Sequence, residues 1–133
     1  MSDSSNSPGF VFNDKIDPAQ LYALYEYDYQ WVEEIFQTTL EHFDGDVGNI
    51  DKHLNSGDLP ELKRALHKIK PTFGFIGMAG MQERCKHAED SAASATSIDQ
   101  VRPEIQQLLI AIGDCKTAIQ DDYNRLRLFN TKQ

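Results

Sequence analysis

His67 is the residue whose surroundings point most directly to chemistry. Lys63, Arg64, Lys68 and Lys70 crowd it in sequence, and Gly74 and Gly77 follow it at plus seven and plus ten. At helical spacing, Leu62, Leu66, Ile69, Phe73 and Ile76 form one apolar seam. Lys63, His67, Lys70 and Gly74 form a second stripe, one residue on. The imidazole is therefore placed beside the core seam, with a lysine a turn away on each side. A neutral imidazole nitrogen is a competent nucleophile, and an ordinary histidine is mostly neutral near pH 7. Neighbouring ammonium groups disfavour the imidazolium and can offset the charge of an incoming anion. Phosphoryl transfer asks for little more than a positioned nucleophile, charge neutralisation and in-line access. Lys70, one turn on, is best placed to stabilise that charge. Lys63, Arg64 and Lys68 offer a docking face, although a solvated face would have the same composition. Gly74 removes bulk where a partner's loops would approach, and Phe75 is read as an exposed apolar docking residue. Pro71 cannot donate to the carbonyl of His67, so it bends the helix or frees an acceptor at the site.

Four amphipathic segments must position these residues. Asp17-Pro18-Ala19-Gln20 is a helix start, and a short helix follows through Leu21 and Leu24. From about Asp28 a longer segment places Val32, Phe36, Leu40, Phe43, Val47, Ile50 and Leu54 on one face. Gly45 and Gly48 inside it mark a bend or a close helix contact, and Gly57 suits the left-handed cap that ends it. Asp58-Leu59-Pro60-Glu61 opens the helix that carries His67, and Gly77 breaks that helix near its end. The next seam is Met78, Met81, Cys85, Ala88, Ala92 and Ala95. Thr96 or Ser97 then caps a last helix with the seam Ile98, Val101, Ile105, Leu108, Ile112, Cys115 and Ile119, and Pro103 is tolerated in its first turns. The expected fold is all-α: an antiparallel four-helix bundle with a short extra N-terminal helix. The expected boundaries are a disordered tail over 1–16, the bundle over 17–126 and a C-terminal tail over 127–133.

Composition excludes several classes. The chain has 133 residues, 26% of them charged and 40% hydrophobic, which suits one globular domain. Its net charge of −8 argues against a nucleic-acid partner. Yet four of its thirteen basic residues lie between Lys63 and Lys70, a local spot suited to one anionic target. No apolar run approaches the ~20 residues that span a bilayer, and Met1 to Pro8 lacks the regions of a signal peptide. A cytoplasmic protein without membrane insertion is expected. Cys85 and Cys115 fall on seams and are read as buried free thiols. His42, His53 and His87 are read as surface residues. No Glu-x-x-His motif is present for a di-metal bundle, and no nucleophile–base–acid set is placed to activate water. Packing of the short helix accounts for Tyr22, Tyr25, Tyr27, Tyr29 and Trp31.

His67-Lys68-Ile69-Lys70, with Gly74 and Gly77, resembles the pattern of the histidine-containing phosphotransfer (HPt) family. Met81, Cys85 and Glu89 match its Leu-x-x-x-Cys-x-x-x-Glu continuation with methionine for leucine, and Asp58 matches its acidic helix start. The likeness spans roughly Asp17 to Tyr123. It departs at Pro71, where many members have a small residue, and at the two glycines of the preceding helix. The resemblance implies that His67 accepts a phosphoryl group on Nε2 from a receiver-domain aspartate or a sensor histidine kinase and passes it on. It implies no cofactor or metal held by this chain, the receiver bringing the Mg²⁺, and a protein that works as a monomer. The implied partners are a response-regulator receiver domain, a hybrid sensor kinase, or both. The chain has no room for an ATP-binding kinase domain or a receiver, so it reads as a stand-alone carrier, or one domain cut from a larger sensor, rather than an enzyme. The rival reading is an HPt-like module that docks a receiver and carries no phosphate.

Overall fold

Three aspartates open the first three helices by the same device. The side chain of Asp17 accepts from the backbone N–H of Ala19 (3.0 Å), that of Asp28 from Trp31 (3.0 Å) and that of Asp58 from Glu61 (3.1 Å). Each satisfies an N–H that the helix cannot, worth ~1 kcal/mol. In the computed structural model, which describes residues 9–132, they begin α1 (Pro18–Tyr25), α2 (Tyr29–Ser56) and α3 (Leu59–Phe75). α4 (Ala79–Ser94) and α5 (Arg102–Thr131) complete the set. Among the described residues there is no strand, and no helix is long and apolar enough to cross a membrane.

Short connections make successive long helices antiparallel. α3 packs most extensively on α4, while α2 packs on both α3 and α5, and α4 closes the ring against α5. The expected seams supply the core: Phe36, Phe43, Leu62, Leu66, Ile69, Phe73, Ile105 and Ile112 are all buried. This is the antiparallel four-helix bundle with a short extra N-terminal helix.

The turn after α3 fixes the site's frame. Gly77 has φ +78°, and the N–H groups of Met78 and Gly77 return to the carbonyls of Phe73 (2.8 Å) and Gly74 (3.4 Å). This paired closure needs a left-handed residue, which only glycine adopts at low cost. α1 then covers the same end. Gln20 Nε2 donates to the Gly74 carbonyl (2.8 Å) and the Tyr25 hydroxyl to that of Phe75 (2.7 Å). Carbonyls left over at the end of α3 are satisfied by α1, so the short helix anchors the helix that bears His67.

Several expectations are corrected. α2 runs on through Gly45 and Gly48, and a Cβ at either would meet nothing within 4 Å, so neither marks a close contact. Neither Thr96 nor Ser97 caps the last helix. A 3₁₀ turn (Ile98–Gln100) intervenes, held by the Gln100 side chain against the N–H (2.8 Å) and hydroxyl (3.1 Å) of Thr96.

Both tail boundaries move outward. Phe10 and Phe12 pack against the core beside Tyr29, Phe36 and Phe129. Buried Asp122 clamps this segment: it accepts from the Asn13 N–H and Nδ2 (both 2.8 Å) and from Arg125. α5 continues through Thr131. The rest of the expected N-terminal tail, residues 1–8, lies outside the described residues, as does residue 133.

Candidate functional site

His67 lies mid-way along α3, with its side chain two-thirds exposed (67%). The apolar seam turns Leu66 and Ile69 inward, and His67, next to Leu66, is left at the edge of the α3–α4 contact. Across that contact stands Glu89 of α4. Its Oε2 lies 2.8 Å from His67 Nδ1 and its Oε1 2.8 Å from Lys70 Nζ. One carboxylate thus holds both side chains, and it is only 12% exposed. Burial pushes the Glu89 carboxyl upward. The hydrogen bonds from Lys70 and His67, with the positive charge of both groups, outweigh that and hold it below the usual carboxylate range.

The chemical consequence is a choice of nitrogen. An ionised carboxylate only accepts hydrogen bonds, so Nδ1 carries the proton. The lone pair of the neutral ring is then on Nε2, on an exposed side chain. Beside the ring a hollow of about 430 Å³ is lined by Pro60, Lys63, Arg64, His67 and Glu89. Lys63 and Arg64 are exposed along α3, and Arg64 is paired with Glu61. Lys68 reaches Asp46 of α2 (3.3 Å).

The other expected site residues are placed unevenly. Pro71 is exposed on the same face as His67, one turn on, and α3 continues through it. Phe75 follows two turns on and is 55% exposed. Gly74 is not the open ground expected of it. A Cβ there would meet the Gln82 side-chain amide at 3.0 Å, so the vacated space is filled from within by α4. Lys70 also differs from expectation, since its ammonium is engaged by Glu89. Glu89 itself was visible only as part of the family pattern, with no role. The aromatic group divides: Tyr25 is buried, whereas Tyr22, Tyr27 and Trp31 (47%) are exposed, with Trp31 edge-on to Tyr25 at 4.9 Å. His42 and His87 are on the surface, His53 is half-buried, and His87 pairs with Glu104 (2.8 Å). Among the described residues no group of three metal-ligating side chains is brought together.

The family model described as "Hpt domain" matches residues 34–127, which include His67, Lys70 and Glu89. The chain belongs to the Hpt domain family. Hpt domains are phosphocarrier modules of two-component signalling that work with receiver and kinase partners, and that coarse role holds for this Hpt domain. Its fold is similar to the crystal structure of the HPT domain from the Hpt sensor hybrid histidine kinase from Shewanella. The TM-score is 0.73 at 17% identity, over 84% of this chain and 95% of that one. At that identity the likeness speaks for the bundle, not for individual site residues. No curated protein matches the chain.

Proposed function

We propose that His67 is the phosphoacceptor of this Hpt domain, taking a phosphoryl group from a receiver aspartate or a sensor histidine kinase and passing it on. The observation that carries the reading is the Glu89 carboxylate 2.8 Å from Nδ1, which leaves Nε2 as the nucleophile of an exposed ring. Nε2 attacks phosphorus, and the N–P bond forms as the acyl-phosphate P–O bond breaks. The receiver's carboxylate leaves with the electron pair. Nδ1 keeps its proton, so the phosphorylated ring is a cation facing the Glu89 anion. Return of the phosphoryl group reverses each step. The Mg²⁺ that receiver chemistry needs comes with the receiver, and no residue of this chain is assigned to hold it. The carrier works as a cytoplasmic monomer, without a kinase or hydrolase site of its own.

Docking is assigned to the face that His67, Pro71 and Phe75 share on α3, with Trp31 linked to it through Tyr25, whose ring it meets edge-on and whose hydroxyl donates to the Phe75 carbonyl. Exposed apolar side chains continuous with a reactive histidine suit a partner that must bring its own reacting carboxylate into line. Lys63, Arg64 and Lys68 add a basic edge that suits the acidic metal-binding face of a receiver.

The test is transfer of label from a Mg²⁺-loaded receiver charged with acetyl phosphate, with His67→Gln alongside. Acid-labile, base-stable label on the wild type alone is expected, with helicity and melting of the variant unchanged. Label on His67→Gln would refute the assignment. Receiver binding without label would leave a docking module.

A further inference from the structure

Four cations surround His67, and three of them are already engaged. Arg64 is bound to Glu61, Lys68 to Asp46 and Lys70 to Glu89. Lys63 has no ionic partner among the described residues, is exposed, and lines the hollow beside the imidazole. It stands one turn before His67, on the side toward which helical side chains lean. Glu89, the anion in the same hollow, is held by two donors.

We infer that Lys63, rather than Lys70, is the direct charge partner of the phosphoryl group, and that Lys70 is a positioning residue acting through Glu89. The inference rests on His67 as phosphoacceptor. A phosphoryl group on Nε2 brings two negative charges to a surface where the ammonium of Lys63 is uncommitted. Lys70 Nζ is instead bound at 2.8 Å to the carboxylate that holds Nδ1, the ring nitrogen that carries no phosphoryl group. Lys63 therefore stabilises the phosphorylated state without disturbing the ring's alignment.

The experiment is the equilibrium distribution of label between a Mg²⁺-loaded, phosphorylated receiver and this protein. It compares the wild type, Lys63→Ala, Lys70→Ala, and each of the two in a Glu89→Gln background. Lys63→Ala is expected to shift the equilibrium toward the receiver roughly three- to tenfold, the range for one screened contact between opposite charges. That shift should persist with Glu89→Gln, because Lys63 acts on the phosphoryl group itself. The effect of Lys70→Ala should largely vanish there, because the neutral amide has no charge for Lys70 to offset. An unchanged equilibrium in Lys63→Ala, or a Lys70→Ala effect undiminished beside Glu89→Gln, would overturn the division of roles. Absence of label from wild-type His67 would instead overturn the phosphoacceptor reading beneath it.

Discussion

Replacing Glu89 with alanine tests the site at its least exposed point. The variant removes the acceptor of the His67 Nδ1 proton and the partner of Lys70, both at 2.8 Å. A hydrogen bond to a charged group contributes ~1.5–3 kcal/mol, and the two-thirds exposure of the imidazole argues for the lower end. About 1.4 kcal/mol is a factor of ten in rate, so phosphoryl uptake should slow about tenfold. Glu89→Gln should slow it less, since the amide oxygen still accepts from Nδ1 but carries no charge toward the phosphorylated ring. The assay is the initial rate of label transfer from excess phosphorylated receiver, paired with ¹⁵N spectra of the His67 ring. In the wild type the proton should reside on Nδ1, and in Glu89→Ala it should redistribute between the nitrogens. Wild-type rates in Glu89→Ala, with an unchanged tautomer, would refute the argument. The same carboxyl also predicts a pH dependence. Because its folded pKa lies below its unfolded value, it binds a proton less readily when folded. Its contribution to stability is present above the ordinary glutamate value of about 4.3 and is lost as pH falls through the depressed folded value. The stability gap between wild type and Glu89→Gln, from urea unfolding, should therefore narrow below about pH 4.3.

Gly74→Leu should displace the Gln82 amide toward the docking face and weaken receiver binding while unfolding stays cooperative; equal affinity in a titration would refute this use of the glycine. Phe75→Ala and Trp31→Ala should each raise the receiver Kd by roughly five- to thirtyfold, in the range of exposed aromatic anchors, and leave thermal stability nearly unchanged. Wild-type affinity in both would remove them from the docking face. Burial pushes the Cys85 thiol up to about 12 and raises that of Cys115, so neither should react with iodoacetamide at pH 8 until denaturant is added. Rapid labelling of the native protein would contradict the packed α4–α5 contact.

The bundle was legible because its causes are local. Capping aspartates, apolar steps of three and four, and a glycine after each of α2 and α3 are all visible in a window of one or two turns. The exposed position of His67 beside the core seam was legible for the same reason, since the residues that mark it share its helix. What escaped depends on pairing between distant residues. Glu89 is twenty-two positions from His67 in sequence, and nothing in its own helix assigns it an imidazole. Asp122 left a readable trace: it occupies a seam position between Ile119 and Leu126, where a carboxylate must find donors. Those donors, Asn13 and Arg125, come partly from a segment too short and irregular to show periodicity. Gly74 was misread because its spacing shows that a side chain is absent and not which neighbour fills the space.

The turn between α3 and α4 sets the register of the site. Phe75, the last residue of α3, is eight positions after His67, or ~12 Å of helix; Glu89 is ten positions after Ala79, the first of α4, or ~15 Å. Folding back through Gly77 brings the two to nearly the same depth, within reach of a glutamate side chain. A longer connection would let α4 slide along α3 and separate carboxylate from imidazole. The Gly77 turn resists that, because its φ of +78° is closed by two backbone bonds, and a Cβ there would meet Ile16 and Leu21 at 3.0–3.1 Å. The glycine ten residues after the histidine is therefore part of the site's geometry, although it lies well away from the ring. It fixes which residue of α4 meets Nδ1, and so which nitrogen of His67 keeps its lone pair free.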